Sequence, residues 1–366
     1  MIAVAGSIAQ RPGRPGHAWV FLSYLLGFRQ LGYEVLFVDR VGAAAQAGWL
    51  VETMDRMGLG DRFAALVEGS EETVGLPRRE LLARLRRCSL LINVNGFLTD
   101  AELMATPPRR AYLDIDPGFA QIWEAQGLAD TFAGHEDFIT VGTNVGASDS
   151  LVPTGGRRWI PTLPPVLLDR WPAVPGGRAF TSVGSWRGPF GPLSHEGRDY
   201  GLRVHELRRF LELPRRVGLP FELALDIDPE DGRDVEALRA GSWRLTDPLS
   251  NLASFESYQR FVQASLAEIA IAKGLYVGTR GGWFSDRSAS YLASGKPVVA
   301  QETGFSKALP TGRGLLAFDD LDGAARAAEE VRANPRAHAA AAREIAEEHL
   351  DSRKVLGSLL ERLGVG

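Results

Sequence analysis

Cysteine is nearly absent: the 366 residues hold one, Cys88. That excludes an intramolecular disulfide and any metal site built on several thiolates. A chain of this kind suits a reducing compartment. Lysine is scarce as well. All four lysines lie after residue 272, and arginine supplies the rest of the positive charge, a bias that fits a GC-rich genome. Neither sign is in excess: Lys+Arg number 41 against 45 Asp+Glu, a net charge of −4. Nucleic-acid binders usually display a basic face, so nucleic acid is not expected as the main partner. A small anion stays open, because it needs only two or three well-placed donors. Long apolar runs are missing too. The best candidate, Trp19 to Phe28, falls short of the ~20 residues of a membrane span and contains Ser23, Tyr24 and Gly27. The opening residues carry no basic segment ahead of an apolar core, so they read as a strand and not as a secretory signal. A cytoplasmic protein is the resulting expectation.

The remainder is ordinary globular material, 45% hydrophobic and 23% charged. Single cores stop growing near roughly 250–300 residues, so two domains are expected. Apolar runs at Ile2–Ala5, Val35–Val38, Leu90–Val94, Ala111–Leu113 and Phe138–Val141 read as strands. Each ends in Gly, Asp or Asn. Between the first two, Val20, Phe21, Tyr24, Leu25, Phe28 and Leu31 recur at helical spacing, and Gly32 stops the helix. Strand–helix–strand units of this kind build a doubly wound parallel sheet, with polar residues collected at the strand C-termini. The Pro-rich stretch Pro161–Gly177 reads as a linker. A second series follows. Its strands are expected at 179–183, 221–225, 243–246, 267–272 and 297–300, its helices at 204–216, 255–265, 286–294 and across 321–363. The expected division is 1–172, 173–350 and a terminal helix 351–366 that crosses back to the first domain. The fold class is therefore α/β, two Rossmann-like domains with parallel sheets facing a cleft.

Helix N-termini suit anions, because free N–H groups and the positive dipole end point at them. The helix opening at Ser285-Asp286-Arg287-Ser288 follows a strand directly. Ser285 and Ser288 offer hydroxyls, Arg280 and Arg287 offer bidentate contacts, and Gly282 lets backbone approach a ligand. For Ser285 and Asp286, helix capping is the simpler role. His17 opens the first helix, whose positive end favours the neutral imidazole that a general base requires. An aspartate could orient its second nitrogen. Asp114 and Asp116 end a strand of the same domain, with Asp116 preferred. A purely structural histidine is the competing reading. Trp283 and Phe284 are either stacking residues or loop anchors.

Two segments carry a family resemblance. The stretch Phe284 to Phe305 contains Ser294-Gly295-Lys296-Pro297-Val298-Val299-Ala300 and then a loop with Gly304. It resembles the donor-binding segment of GT-B fold glycosyltransferases. Gly16-His17 at the head of an amphipathic helix resembles the opening of family 1 members. The Trp283-Phe284-Ser285-Asp286-Arg287-Ser288 pattern is similar to that of a group of bacterial glycosyltransferases related to families 1 and 4. The departures are specific: Ser290 stands where family 4 places a glutamate, and Arg280-Gly281-Gly282-Trp283 replaces the His-Cys-Gly-Trp of plant-type family 1.

The resemblance implies a glycosyltransferase moving a sugar from a nucleotide-activated donor to a hydroxyl of a small-molecule or glycan acceptor. Domain closure would exclude water. His17 and Asp116 would be catalytic. Gly184 and Arg187, after the first strand of the second half, would meet the leaving phosphates. Arg187 is the strongest single phosphate candidate, although a solvated loop arginine reads the same way. Glu302, Thr303 and Gly304 would meet the donor sugar, unless that turn is merely surface. Gly16, Arg280, Gly282, Ser285, Arg287 and Ser288 complete the expected substrate contacts. No cofactor or metal is expected. The Asp-x-Asp pairs Asp114/Asp116 and Asp226/Asp228 lie in different halves and read as caps. A sugar-nucleotide epimerase or hydrolase, and a non-catalytic binding protein, are the alternatives on the same scaffold. The loop Pro189–Gly201 is expected to shape the acceptor site, with His195 as a secondary candidate.

Overall fold

The computed structural model describes residues 1–188 and 190–365. Pro189, the first residue of the expected acceptor loop, lies outside them.

The first half builds one eight-stranded sheet. Its strands are β1 (Ile2–Ala5), β2 (Val35–Val41), β3 (Phe63–Val67), β4 (Thr73–Gly75), β5 (Leu90–Val94), β6 (Arg110–Asp114), β7 (Asp137–Thr140) and β8 (Trp159–Pro161). They lie in the order β4-β3-β2-β1-β5-β6-β7-β8. All pairs are parallel except β3 with β4. The strands β1 and β5 are buried along their whole length, as parallel strands covered on both faces must be. This is why they read as unbroken apolar runs in the sequence.

The second half repeats the plan. After β9 (Phe180–Ser185) comes a hairpin, β10 (Leu193–His195) with β11 (Arg198–Tyr200). Then follow β12 (Phe221–Asp226), β13 (Trp243–Thr246), β14 (Ala267–Ala270), β15 (Val298–Gln301) and β16 (Leu315–Phe318). The six-stranded sheet runs β13-β12-β9-β14-β15-β16 and is parallel throughout. The chain thus has the GT-B arrangement of two parallel sheets expected from the sequence.

Helix α1 (Pro15–Gln30) starts on a proline, whose fixed φ suits a first helical position. It is buried on nearly every side. The sheet takes one face, and the terminal helix Ser352–Leu363 takes another, with Ser352 Oγ 3.0 Å from Gln30 Oε1. The largest apolar cluster therefore runs through both halves. It joins Val4, Phe21 and Leu25 to Tyr291, Leu292 and Leu356. Trp19 meets Phe255 edge-on at 5.7 Å across the same junction. Outgoing and returning chain run side by side there: Val166 and Asp351 form a parallel bridge.

Two expected helices are broken, each at a proline. The 204–216 stretch divides into Arg203–Leu207, a tight turn at Arg208–Phe210, and Leu213–Val217, because Pro214 has no N–H to continue the ladder. The 321–363 stretch divides into Leu321–Ala333, Pro335–Ile345 and Ser352–Leu363. Pro335 starts the second, and the Asp351 carboxylate caps the third.

Candidate functional site

A cleft of ≈1130 Å³ separates the two sheets. In open α/β sheets, ligands bind beyond the strand C-termini where the strand order reverses. Here those points fall between β1 and β5 and between β9 and β14. The residues just past them, Ser7 and Asn95 on one side and Gly184–Arg187 and Lys273 on the other, all line the cleft.

His17 sits at the cleft on the first turn of α1, beside Gly16. Its Nε2 is 2.8 Å from the Ser7 carbonyl oxygen and 3.3 Å from Ser7 Oγ. A carbonyl only accepts, so Nε2 carries the proton and Nδ1 keeps its lone pair. Burial pushes the imidazole below its ordinary pKa despite the Ser7 bond, so the neutral ring prevails at pH 7. The form a general base requires is present.

The expected orienting aspartate is not. The Asp116 side chain bonds Lys273 Nζ at 2.8 Å and also accepts from the Tyr276 hydroxyl and, at 3.4 Å, from Asn95 Nδ2. Burial alone would raise its pKa, but the Lys273 ammonium with the Tyr276 and Asn95 hydrogen bonds together outweigh that and hold it below the usual range. Asp114 is not the partner either. It is sealed under Gln121 Nε2 at 2.6 Å and Thr140 Oγ1 at 2.8 Å, and burial pushes it up to about 7. The Ser7 carbonyl performs the orienting role that the sequence assigned to a carboxylate.

On the opposite wall, Arg203 is the notable cation. Its Nε is buried and has no hydrogen-bond partner among the described residues. Burial and then the neighbouring Arg287 pull its pKa down to about 10, which still leaves it charged at neutral pH. Gly184 makes room for it: a Cβ there would lie 2.1 Å from Arg203 Nη1. The absent side chain of Gly184 thus admits the Arg203 guanidinium. Arg187 lines the cleft yet is 61% exposed and forked onto Asp231. Its charge is already compensated, which displaces it as the leading phosphate candidate.

Arg287 is buried at the cleft floor. It pairs with Glu268 of β14 and donates from Nη1 to the Val183 carbonyl at 2.8 Å. Ser285 lines the cleft and caps the helix Asp286–Ala293 by accepting from the Arg287 N–H at 3.2 Å. The capping reading of Ser285 thus holds in the structure. Asp286 also lines the cleft, and burial raises it to about 6. The Asp-x-Asp pairs are occupied otherwise: Asp226 pairs with Arg14 at 2.8 Å and Asp228 accepts from the Glu230 N–H. Among the described residues no group of His, Cys, Asp and Glu is placed to hold a metal ion.

Six expected contacts lie outside the cleft lining: Arg280, Gly282, Ser288, Glu302, Thr303 and Gly304. Ser288 is buried on the helix flank. Arg280 and Gly282 form a clasp between the halves, backed from within the second half by Glu302, Thr303 and Gly304. Asn144 N–H donates to the Gly281 carbonyl at 3.0 Å, and its Nδ2 to the Arg280 carbonyl at 2.8 Å. Thr143 donates to the Gly282 carbonyl, Gly282 N–H donates to Thr303, and Glu302 accepts from the Gly304 N–H. Gly282 has φ +81°, and a Cβ on it would come within 2.5 Å of the Asn144 nitrogen. The glycines that suggested a ligand serve close backbone contact between the halves.

Sequence reasoning missed Arg203, Lys273 and Tyr276. Lys273 was readable in principle, as the cation right after β14. Arg203 was not, because its place depends on the missing Cβ of Gly184. His195 lies on the β10–β11 hairpin, outside the cleft lining.

No family model matches the sequence, and no similar curated protein was found. The fold matches solved structures over its whole length. HepE of Anabaena, solved with UDP and glucose, superposes with TM-score 0.59 at 12% identity, covering 99% of both chains. AviGT4, a glycosyltransferase of avilamycin A biosynthesis, gives 0.56 at 13%, covering 99% of this chain and 96% of its own. A protein described as a UDP-N-acetylglucosamine 2-epimerase, from Listeria monocytogenes, gives 0.51 at 9%, covering 99% and 95%. No helix of the described residues is long and apolar enough to cross a membrane.

Proposed function

We propose that this chain is a glycosyltransferase of hexosyl type, using a nucleoside-diphosphate sugar and an acceptor hydroxyl. The observation that supports this most is Arg203, a charged side chain in the donor-side wall of the cleft whose buried Nε has no partner among the described residues. An unpaired buried polar group is costly unless something binds it. A diphosphate is the ligand that the surrounding chemistry favours. Lys273 and the N-terminus of the helix Asp286–Ala293 converge on the same wall.

The chemistry then divides between the walls. As the bond from the sugar C1 to the phosphate oxygen breaks, negative charge grows on the leaving diphosphate. Fixed cations there stabilise the transition state more than the ground state. On the other wall, His17 Nδ1 accepts the proton of the acceptor hydroxyl as its oxygen bonds to C1. This assigns an inverting transfer. The Ser7 carbonyl holds the Nε2–H and stabilises the ring as it gains charge.

The UDP complex of HepE makes UDP the first ligand to try. Calorimetry with UDP, GDP, dTDP and ADP tests the reading. One nucleotide binding to the wild type and at least tenfold more weakly to Arg203→Gln supports it. Binding that ignores Arg203 overturns it. Turnover of the donor without an acceptor would instead favour the epimerase or hydrolase.

A further inference from the structure

The acceptor-side wall carries positive charge that neither His17 nor the donor site uses. Its charged lining residues are Arg11, Arg14, His17, Arg40, Asp114 and Asp116. Arg14 is committed to Asp226, Asp116 to Lys273, and Asp114 is sealed by neutral donors. Two guanidinium groups remain. Arg11 is exposed and makes no ion pair or side-chain hydrogen bond among the described residues. Arg40 lies over the Phe97 ring at 4.5 Å, and its buried Nε has no hydrogen-bond partner among the described residues. Its ion pair is a loose one, to the exposed Glu68 carboxylate 3.9 Å from that nitrogen.

The backbone segments that carry the two arginines are tied to one another at the cleft. Gln10 donates from Nε2 to the Arg40 carbonyl at 2.8 Å, which fixes the residue next to Arg11 against Arg40. Asp39, almost wholly buried, accepts from the Ala9 N–H at 2.9 Å and the Arg40 N–H at 2.7 Å. Burial pushes its pKa up to about 7, so near neutral pH its own charge offsets the arginines only in part. Phe97 fixes the plane of the Arg40 guanidinium by a cation–π contact. With its side chain 38% exposed, the guanidinium offers its terminal nitrogens to an oxyanion in the cleft.

Resting on the glycosyltransferase reading of this cleft, we propose that Arg11 and Arg40 form an anion subsite for the acceptor, which carries a carboxylate or a phosphate. The donor diphosphate is held on the facing wall, so the two anions are received by separate arginines.

The test fills the donor wall with pyrophosphate, which needs no knowledge of the base, and then titrates glucose, glucuronate and glucose 6-phosphate by calorimetry. We expect an anionic probe to bind at least tenfold tighter than glucose, and that preference to be lost in Arg40→Gln and in Arg11→Gln. Preference for glucuronate alone assigns a carboxylated acceptor, and preference for glucose 6-phosphate alone a phosphorylated one. No anion preference in the wild type, or a preference that survives the double variant, overturns the subsite. Pyrophosphate binding by the wild type is read in the same experiment. Its absence would count against the glycosyltransferase reading instead, while the anion preference would still be read on the unfilled protein. A circular dichroism melt confirms that each variant is folded.

Discussion

The Lys273 ammonium and the Asp116 carboxylate meet at 2.8 Å, one from each half of the chain. Their side chains are only 13% and 26% exposed, so the pair is largely out of water. It joins the cleft walls and at the same time neutralises a cation that would otherwise face a diphosphate. Replacing Asp116 with Asn frees that cation. We expect Asp116→Asn to bind pyrophosphate several-fold tighter. Its folding stability should fall by about 1–3 kcal/mol, the usual cost of leaving a buried charged donor unsatisfied. An unchanged or weaker affinity would show that Lys273 does not reach the phosphates.

Arg203 and Arg187 should separate cleanly. The first has a buried Nε without a partner among the described residues, and the second is exposed and forked onto Asp231. Arg203→Gln should cost at least tenfold in nucleoside-diphosphate affinity while leaving the unliganded melting temperature unchanged or higher, since a desolvated charge is removed. Arg187→Gln should cost less affinity. The reverse order in calorimetry would restore Arg187 as the principal phosphate ligand.

The pH profile follows from the lowered pKa of His17. Acceptor-dependent kcat/KM should be flat above pH 6.5 and fall on the acid side, as the imidazole takes up the proton that blocks Nδ1. His17→Ala should lose about 100-fold or more and its acid limb with it. Stability should move the same way. The unfolded chain protonates His17 more readily than the folded one, so this contribution is full above pH 6.5 and declines as pH falls through that value.

The clasp can be probed at Gly282. Its positive φ and the 2.5 Å approach to the Asn144 nitrogen both oppose a side chain. Gly282→Ala should destabilise by roughly 1–3 kcal/mol. Gly232 starts a helix with φ −51° and has nothing within 4 Å of a Cβ. Gly232→Ala should be neutral or stabilising by about 0.4–1 kcal/mol. Equal effects in chemical denaturation would refute the role given to the clasp.

The fold was legible because its signals are local. Buried parallel strands such as Ile2–Ala5 and Leu90–Val94 must be apolar throughout, and the residues that end them must turn. The antiparallel edge strand Thr73–Gly75 was not seen, having three residues and only partial burial. The position of His17 at a helix start was legible in the sequence, whereas its hydrogen-bond partner, the Ser7 carbonyl, was not. A backbone carbonyl has no letter in the sequence, whereas a carboxylate does. The Gly-rich segment 280–282 showed that backbone must come close to something, but not whether to ligand or to the other half of the chain.

The Val166–Asp351 pairing and the Gly142–Trp283 bridge fasten the two halves at separate places. A door hung on two pins swings only about the line through them. The Arg14–Asp226 and Lys273–Asp116 ion pairs close the free side of that door like two latches, so a swing that widens the cleft has to part both of them first.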